Sequence, residues 1–345
     1  MRMPLSISTP ARPAPLVAVL GIVLAALLLA ACGESGSSGT KSSASPTASA
    51  DTKKAACEPV PGDSLVVLDD DKQLQTVDNI IPAVNAQASS PELLEALNTV
   101  SAALDTDKLI ALNRQVDIDR ETSPNVAREF VEAEGLGEGL AQGSGEITVG
   151  AADFGENETL ANIYAEVLGA AGFDARVRTI GNRELYEPAL ERGELDVVPE
   201  YVGTLTEFIN KAENGATAEP IASGDLEATV TGLRELGEQV GLVFGEPSAA
   251  ADQNAFAVTT AFAEQYGVAT LSELAEACGS GLVLGGPPEC PERPFCQPGL
   301  EETYGLKFAD FQEYGDTGGP LTKAAIQKGE VSMGLVFSSD GALAQ

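Results

Sequence analysis

The sequence predicts an α/β protein, and three observations support this fold class. Short apolar runs rich in Val, Ile and Leu, typical of buried strands, alternate with longer segments whose apolar residues recur at helical spacing. Glycine follows helical segments at Gly172 and Gly193, and proline opens others at Pro91 and Pro124. Strands that alternate with helices favour parallel βαβ units around a buried sheet.

The predicted elements follow the chain in order, each from its own local pattern. Ser90 and Ser123, each followed by proline, predict helix starts, and short runs bounded by polar residues predict strands. Strands are predicted at residues 64–68, 79–84, 147–150, 174–180, 195–198, 255–259, 282–285 and 331–337. Helices are predicted at residues 90–104, 105–116, 123–134, 158–171, 184–192, 271–277, 298–304 and 321–328. The glycine-rich residues 135–145 predict a linker.

The N-terminal residues have the pattern of an export signal. Arg2 and Arg12 are the only charged residues before an apolar run at residues 15–31. The run ends in Leu-Leu-Ala-Ala followed by Cys32, which resembles the bacterial lipobox, where the cysteine is lipidated and begins the mature protein. We therefore predict a signal peptide at residues 1–31 and a lipid on Cys32; the alternative is an uncleaved helical anchor with the same topology.

Composition sets the organisation of the remaining chain. Residues 32–56 are mostly Ser, Thr, Gly, Ala and Lys, which predicts a flexible tether, and residues 57–345 are long enough for two lobes. The formal net charge of −32 disfavours binding to nucleic acid. The chain has no His, so the commonest general base and metal ligand is absent, and we expect neither a metal site nor a cofactor.

Four cysteines remain besides Cys32, and an even number in an exported protein suggests disulfide bonds. Cys290 and Cys296 lie close together in one proline-rich loop, so we predict that they pair and that Cys57 pairs with Cys278. Two other pairings are open from the sequence, as is a zinc site, although the spacing lacks paired C-x-x-C motifs.

Four segments together carry a family resemblance. They are the strand and loop at residues 150–156 (GAADFGE), the motif at residues 189–204 (ALERGELDVVPEYVGT), the proline-rich segment at residues 288–306, and residues 337–341 (FSSDG). They are similar to the substrate-binding proteins of osmoprotectant ABC importers, which bind glycine betaine, choline and related quaternary amines. The resemblance implies a two-lobed periplasmic-binding-protein-like fold of type II with a hinge.

The order of these segments is unusual for the family. Residues 65–72 resemble the segment that follows Ser-Asp-Gly in ordinary members, and residues 126–136 resemble their C-terminal end. The resemblance therefore implies a circular permutation, with its joint at about residues 135–145. Close surface termini make such a joint tolerable. We expect one lobe at about residues 75–247 and the other at about residues 249–345 together with 57–74.

The resemblance also implies an aromatic cage. Aromatic faces suit a quaternary ammonium, which is charged but covered by methyl groups. Three of the family's four cage positions fall on Tyr201, Phe256 and Phe337, and the fourth falls on Val77, which is not aromatic. Phe154 is a further candidate for the cleft wall. For phenylalanines in apolar strands the alternative is a place in the core.

Polar ligand positions carry over less completely. The family's threonine falls on Thr204, its carboxylate-binding arginine on Arg293, and an acidic residue near the cage on Asn254. The family's lysine falls on Ala152, which weakens the case for a small betaine. Glu156 has two interpretations, a cleft residue or an acid that caps a helix.

These observations predict a non-enzymatic, monomeric binding protein. Its partners would be a quaternary amine or related solute, an ABC permease, and a membrane reached through the lipid anchor, on the extracytoplasmic face. The alternative is a non-enzymatic binding protein or sensor for a different small solute on the same fold. An enzyme on this fold is disfavoured, because the chain has no His and no nucleophile motif such as G-x-S-x-G.

Overall fold

The computed structural model describes residues 55–343. The strands are β1 (Ala55–Ala56), β2 (Leu65–Leu68), β3 (Ile80–Asn85), β4 (Glu146–Ala151), β5 (Asp174–Thr179), β6 (Val197–Tyr201), β7 (Leu242–Phe244), β8 (Asn254–Thr259), β9 (Cys278–Ser280), β10 (Leu282–Gly286), β11 (Phe308–Glu313) and β12 (Met333–Phe337). The helices are α1 (Pro91–Ala103), α2 (Thr106–Asp117), α3 (Ser123–Glu134), α4 (Gly155–Ala170), α5 (Arg183–Glu191), α6 (Val202–Asn214), α7 (Leu226–Val240), α8 (Thr260–Tyr266), α9 (Leu271–Ala277), α10 (Gln297–Gly299) and α11 (Pro320–Lys328).

The first lobe is built on a five-stranded sheet in the order β5-β4-β6-β3-β7. Strands β4, β5 and β6 run parallel, and β3 is antiparallel to both of its neighbours. One core cluster packs α1 to α4 against the sheet through side chains such as Leu97, Val126 and Tyr164. A second cluster, with Leu190, Leu205 and Leu233, covers the other face with α5, α6 and α7. Residues 80–134 therefore share one lobe with the βαβ unit that begins at residue 146.

The second lobe is built on another five-stranded sheet, in the order β11-β10-β12-β8-β2. Strands β11, β10 and β12 are parallel, and β8 is antiparallel to both β12 and β2. Its main core cluster includes Phe256, Phe262 and Leu284. Leu65 and Leu343 both pack against a smaller cluster on the other face, formed by residues such as Ile326 and Val336.

Two segments cross between the lobes, residues 69–79 and residues 245–253. They contact each other through a bridge between Asn79 and Ala251. The amide of Asp252 donates a hydrogen bond of 3.0 Å to the carbonyl of Asp78. This pairing places the side chains of Asp78 and Asp252 at the junction of the lobes.

The sequence patterns did not predict seven of these elements: α6, α7, α8, β1, β7, β9 and β11. Helix α6 begins at Val202 directly after β6, without a turn residue to mark the change. Strand β11 is an edge strand whose residues are mostly half-exposed or exposed, so it lacks the apolar run of a buried strand. Helix α7 is amphipathic, with Val230, Leu233 and Leu236 buried, and its 3.6-residue period was a usable signal.

The predicted signal peptide and Cys32 lie outside the described residues. Within residues 55–343, no helix has the length and apolar character needed to cross a bilayer.

Two disulfides are present in the structure. Cys57 is bonded to Cys278, next to the parallel pair of β1 and β9, and Cys290 is bonded to Cys296. The first bond spans a sequence separation of 221 residues and the second spans 6.

The double substitution Cys57→Ser/Cys278→Ser is expected to lower the free energy of unfolding by roughly 3–5 kcal/mol, because a long closed loop restricts the unfolded chain strongly. Cys290→Ser/Cys296→Ser opens a much shorter loop and is expected to cost about 2 kcal/mol. Equilibrium denaturation of both variants measures the two losses. A larger loss for the Cys290/Cys296 variant would contradict this ranking.

Candidate functional site

A cleft of about 560 Å³ lies between the two lobes. One face of α6 and the beginning of α5 form its first-lobe wall, and the loop at residues 287–296 forms most of its second-lobe wall. Asp78 and Asp252, from the two crossing segments, lie at its base. The cleft therefore takes side chains from both lobes and from the hinge between them.

Most of the predicted site residues line this cleft. They are Phe154, Tyr201, Thr204, Asn254, Arg293 and Phe337. Two predicted residues do not line it. Phe256 is only 1% exposed and packs in the second-lobe core, because on β8 it faces Leu68 and Phe262. Val77 packs against the first-lobe core beside α6. We leave both out of the candidate site.

Three aromatic rings form a stack that crosses from one lobe to the other. The ring of Phe154 lies between those of Tyr201, at a centroid distance of 6.5 Å, and Phe337, at 5.8 Å. Tyr201 ends β6 in the first lobe, and Phe337 ends β12 in the second. The stack presents aromatic surface of the kind that attracts a cation.

The position of Tyr201 follows from the strand-to-helix junction. Tyr201 ends β6 and directly precedes α6, at the carboxyl end of its strand, where ligands bind in α/β folds. Gly203 permits a close approach here, because a Cβ on it would lie 2.4 Å from the carbonyl oxygen of Val77. The amides of Gly203 and Thr204 then donate to Oδ1 of Asp78, at 2.9 and 3.0 Å.

Glu156 holds the tyrosine and joins the lobes. Its carboxylate accepts a hydrogen bond of 2.8 Å from the Tyr201 hydroxyl, one of 2.6 Å from the hydroxyl of Ser339, and one from Asn113. Ser339 follows β12, so this buried network spans both lobes. Burial raises the pKa of Glu156, and it raises that of Asp252 strongly, with a further rise from the nearby charge of Glu156. The sequence left Glu156 between two interpretations, and the structure makes it a partner of the candidate ligand residue.

Asp78 is the second buried acid at the base of the cleft. It is 5% exposed, and desolvation raises its pKa to about 7, although the hydrogen bond from the Thr204 amide and the charge of Arg183 oppose the rise. Below pH 7 its carboxyl is neutral in the folded protein, whereas in the unfolded chain it ionises near 3.8.

Asp78→Asn is therefore expected to change how stability depends on pH. In the parent, the folded state keeps a proton that the unfolded chain releases, so Asp78 contributes stability below about pH 4 that is lost as pH rises to 7. Asparagine keeps the Oδ1 acceptor and cannot ionise, so near pH 8 the variant should be more stable by roughly 2–4 kcal/mol. Denaturation at a series of pH values measures this. The control is Asp153→Asn, which removes an exposed acid. If the free energy of unfolding depends on pH in the same way in the parent and in Asp78→Asn, the raised pKa of Asp78 is contradicted.

A buried ion pair positions the threonine of the site. Nη2 of Arg183 lies 2.7 Å from Oε2 of Glu200, and the two side chains are 8% and 1% exposed. The same Nη2 donates to the Thr204 hydroxyl at 2.9 Å. The charge of Arg183 is therefore satisfied within the protein, and its hydrogen bonds orient Thr204 at the start of α6.

Arg293, the predicted carboxylate partner, is also paired. Its Nη2 lies 2.9 Å from Oε2 of Glu184, which belongs to α5 of the first lobe, and 3.1 Å from Oε1 of Glu289. The contact with Glu184 joins the two walls of the cleft. No local sequence pattern indicates this contact, because the two residues are 109 positions apart.

Three other aromatic side chains line the cleft: Tyr186, Phe208 and Phe295. Phe208 lies on α6, which the sequence patterns did not predict, and Phe295 lies beside Cys296 in the disulfide loop. The carbonyl of Phe295 accepts a hydrogen bond from Asn254. Residues 55–343 contain no cluster of three or more His, Cys, Asp or Glu side chains suited to a metal.

The fold and the cleft define a class: a two-lobed α/β binding protein of the periplasmic type II class, with a hinge of two crossing segments and a ligand cleft between the lobes. Comparison with known proteins agrees. Residues 54–133 and 145–345 match the family described as the substrate binding domain of ABC-type glycine betaine transport systems. The chain belongs to this family, whose members are solute-binding proteins rather than enzymes.

Two curated relatives are similar to this chain. The glycine-betaine-binding protein of Pseudomonas aeruginosa is 30% identical over 215 residues, which cover 59% of this chain and 65% of that protein. The glycine betaine-binding protein YehZ of Escherichia coli is 28% identical over 211 residues, covering 59% and 67%. The match thus spans about two thirds of each relative.

Solved structures are more distant. A glycine betaine/carnitine/choline ABC transporter structure aligns over 57% of this chain and 71% of its own, with 18% identity and a TM-score of 0.37. The structure of NikA from Brucella suis in complex with Fe(III)-EDTA aligns over 57% and 48%, with 14% identity and a TM-score of 0.28.

Proposed function

We propose that this chain is the extracytoplasmic solute-binding protein of an ABC importer, and that it captures a quaternary amine of the glycine betaine and choline type in the cleft between its lobes. One observation carries the proposal. The stack of Tyr201, Phe154 and Phe337 crosses from lobe to lobe beside the buried acids Asp78 and Asp252. A quaternary ammonium has no N–H group to donate, and aromatic faces and carboxylates are the two groups that best stabilise such a cation.

Closure of the lobes provides the mechanism of capture. A solute against Tyr201 in the first lobe also meets Phe337 of the second, so it binds the closed form more tightly than the open one and shifts the population towards it. The Glu156 and Ser339 hydrogen bonds stabilise the same closed arrangement. The closed form is then the one that a permease recognises.

A thermal-shift series with the purified protein tests binding. Choline, glycine betaine and carnitine are compared with glycine and ethanolamine, which lack the methylated ammonium. A quaternary amine is expected to raise the melting temperature, and to raise it further the more tightly it binds, because it binds the folded state alone. Equal shifts for ethanolamine and choline would refute a quaternary ammonium site.

Uptake of labelled quaternary amine by cells that lack the gene separates an importer from a sensor. An importer component predicts loss of uptake, whereas a sensor that only reports the solute predicts that uptake persists.

The lipid anchor belongs to the same proposal. Cys32 at the end of the apolar run becomes the lipidated first residue, and residues 32–56 tether the lobes to the outer face of the membrane. The Cys32→Ser variant is expected to lack the added mass of the lipid in mass spectrometry. The variant protein is also expected to be absent from the membrane fraction.

The permuted order is also part of the proposal. The family match breaks into two blocks, and the gap at residues 134–144 lies in the glycine-rich segment. Leu65 and Leu343 pack against one cluster, which supports a connection between these two segments in the ordinary order. A reordered chain, with residues 146–343 placed before residues 57–134, is expected to fold and bind like the parent; failure to fold would contradict the permutation.

A further inference from the structure

We infer that Glu184 makes the cleft selective for quaternary amines that carry no carboxylate, because it occupies the guanidinium of Arg293 that a ligand carboxylate would need. The inference rests on the proposed function. It narrows the solute class from quaternary amines in general to those that, like choline, have no carboxylate. The carboxylate of Glu184 then takes the place at Arg293 that a ligand carboxylate would take, and this makes Glu184 a specificity-determining residue.

The geometry of the contact supports this role. Nη2 of Arg293 lies 2.9 Å from Oε2 of Glu184, and Nε lies 3.2 Å from Oε1, so two N–H groups meet two carboxylate oxygens. This is the fork geometry with which arginine binds a carboxylate, including one on a ligand. Glu289, whose side chain is 10% exposed, adds a second carboxylate at 3.1 Å. A ligand carboxylate would have to displace one of these partners.

The charge state of Glu184 agrees with the contact. Partial burial raises its pKa, but the hydrogen bonds and positive charge of Arg293 outweigh that effect, so its pKa lies below the ordinary value. Glu184 is therefore ionised at neutral pH and bound to Arg293 while the cleft is empty.

The other cations of the cleft do not replace Arg293. Arg183 is enclosed by Glu200 and Thr204. Lys211 lines the cleft at the far end of α6, two turns beyond Thr204, or about 10 Å along the helix. The carboxylate of glycine betaine is one methylene from its nitrogen, so it cannot reach Lys211 from the aromatic stack.

Acidic groups at the base of the cleft favour the same solute class. Asp78 and Asp252 line the base at 5% and 3% exposure, and Glu156 contacts Tyr201 beside them. Burial raises the pKa of all three acids, so in the empty cleft they keep their protons more readily than ordinary carboxyls do. A cation placed against them would favour their ionised forms and be attracted by them, whereas a ligand carboxylate would oppose their ionisation. The paired Arg183 and Glu200 offset each other.

The test is a calorimetric titration of the parent and Glu184→Gln with choline and glycine betaine. The parent is expected to bind choline at least about tenfold more tightly, and Glu184→Gln to raise the ratio of betaine affinity to choline affinity about tenfold, because a freed arginine fork gains a charge-assisted contact. The ratio is the readout because any change in lobe closure affects both ligands alike.

Two variants isolate the cause. Glu264→Gln removes one negative charge from an exposed position of α8 in the second lobe, outside the cleft, so its ratio should match that of the parent. Glu184→Gln/Arg293→Ala should lose the gain. Equal affinity of the parent for both ligands, or an unchanged ratio in Glu184→Gln, overturns the inference. Binding of neither ligand overturns the proposed function instead.

Discussion

Tyr201→Ala is expected to weaken binding of a quaternary amine by roughly tenfold to thirtyfold, since a desolvated cation gains about 2 kcal/mol from an aromatic face. Tyr201 lies in the cleft at the carboxyl end of β6, and its ring faces the stack that reaches the second lobe through Phe154. Calorimetry with choline measures the loss, and an unchanged thermal unfolding curve without ligand establishes that the variant folds.

Tyr201→Phe is the matched variant. It keeps the aromatic face and removes the hydroxyl that donates to Glu156 at 2.8 Å. It should therefore retain more affinity than Tyr201→Ala and lose part of the network that joins the lobes through Ser339. If Tyr201→Ala binds choline as tightly as the parent does, the cation binds elsewhere.

Arg183→Met is expected to lower the free energy of unfolding by roughly 3–5 kcal/mol, the largest stability effect of the site, because it leaves Glu200 as an uncompensated buried charge. Glu200 is 1% exposed and accepts two N–H groups of Arg183, at 3.0 and 2.7 Å. Chemical denaturation measures the loss, and weaker ligand binding should accompany it because Thr204 loses its donor.

Two controls accompany this variant. Arg176→Met breaks an ion pair of similar length, 2.7 Å to Asp174, but both side chains are more than half exposed, so little change is expected. Arg183→Met/Glu200→Leu removes both buried charges and should regain much of the loss. If Arg183→Met and Arg176→Met cost the same, burial of the pair is not what matters.

Local patterns predicted β6, β12 and α5, which carry Tyr201, Phe337 and part of the first-lobe wall, but they did not predict α6. The motif at residues 189–204 placed Tyr201 after a buried strand, and β6 ends at that residue. These predictions were accessible because apolar runs, helix caps and terminal glycines act within a few residues of one another. The adjacency of β6 and α6 was missed for the same reason, since no turn residue separates them.

Pairings across the cleft could not be read in this way. Phe256 was assigned to the cage by resemblance, yet period-two alternation along β8 puts Phe256 and Val258 on one face, and both lie in the second-lobe core. A place in the core was the alternative for this phenylalanine, and its 1% exposure in the structure agrees with that alternative. The contact of Arg293 with Glu184 had no local signal, because it depends on how the two lobes approach each other.

Buried acids were the least predictable part of the site. Asp78 and Asp252 stand in segments without regular structure, and nothing local distinguishes them from the many surface acids of a chain with 52 acidic residues. Their burial follows from the crossing of two distant segments at the hinge, which brings the amide of Asp252 to the carbonyl of Asp78.

The central claim is that the cleft binds a solute through its quaternary positive charge. Calorimetric titration of the purified protein tests this most directly. The two ligands are choline and 3,3-dimethylbutan-1-ol, which has the shape of choline but an uncharged carbon in place of the ammonium nitrogen. The account predicts that choline binds with one-to-one stoichiometry and at least about tenfold more tightly than the analogue. Equal affinity for the two compounds, or binding of neither, would contradict it.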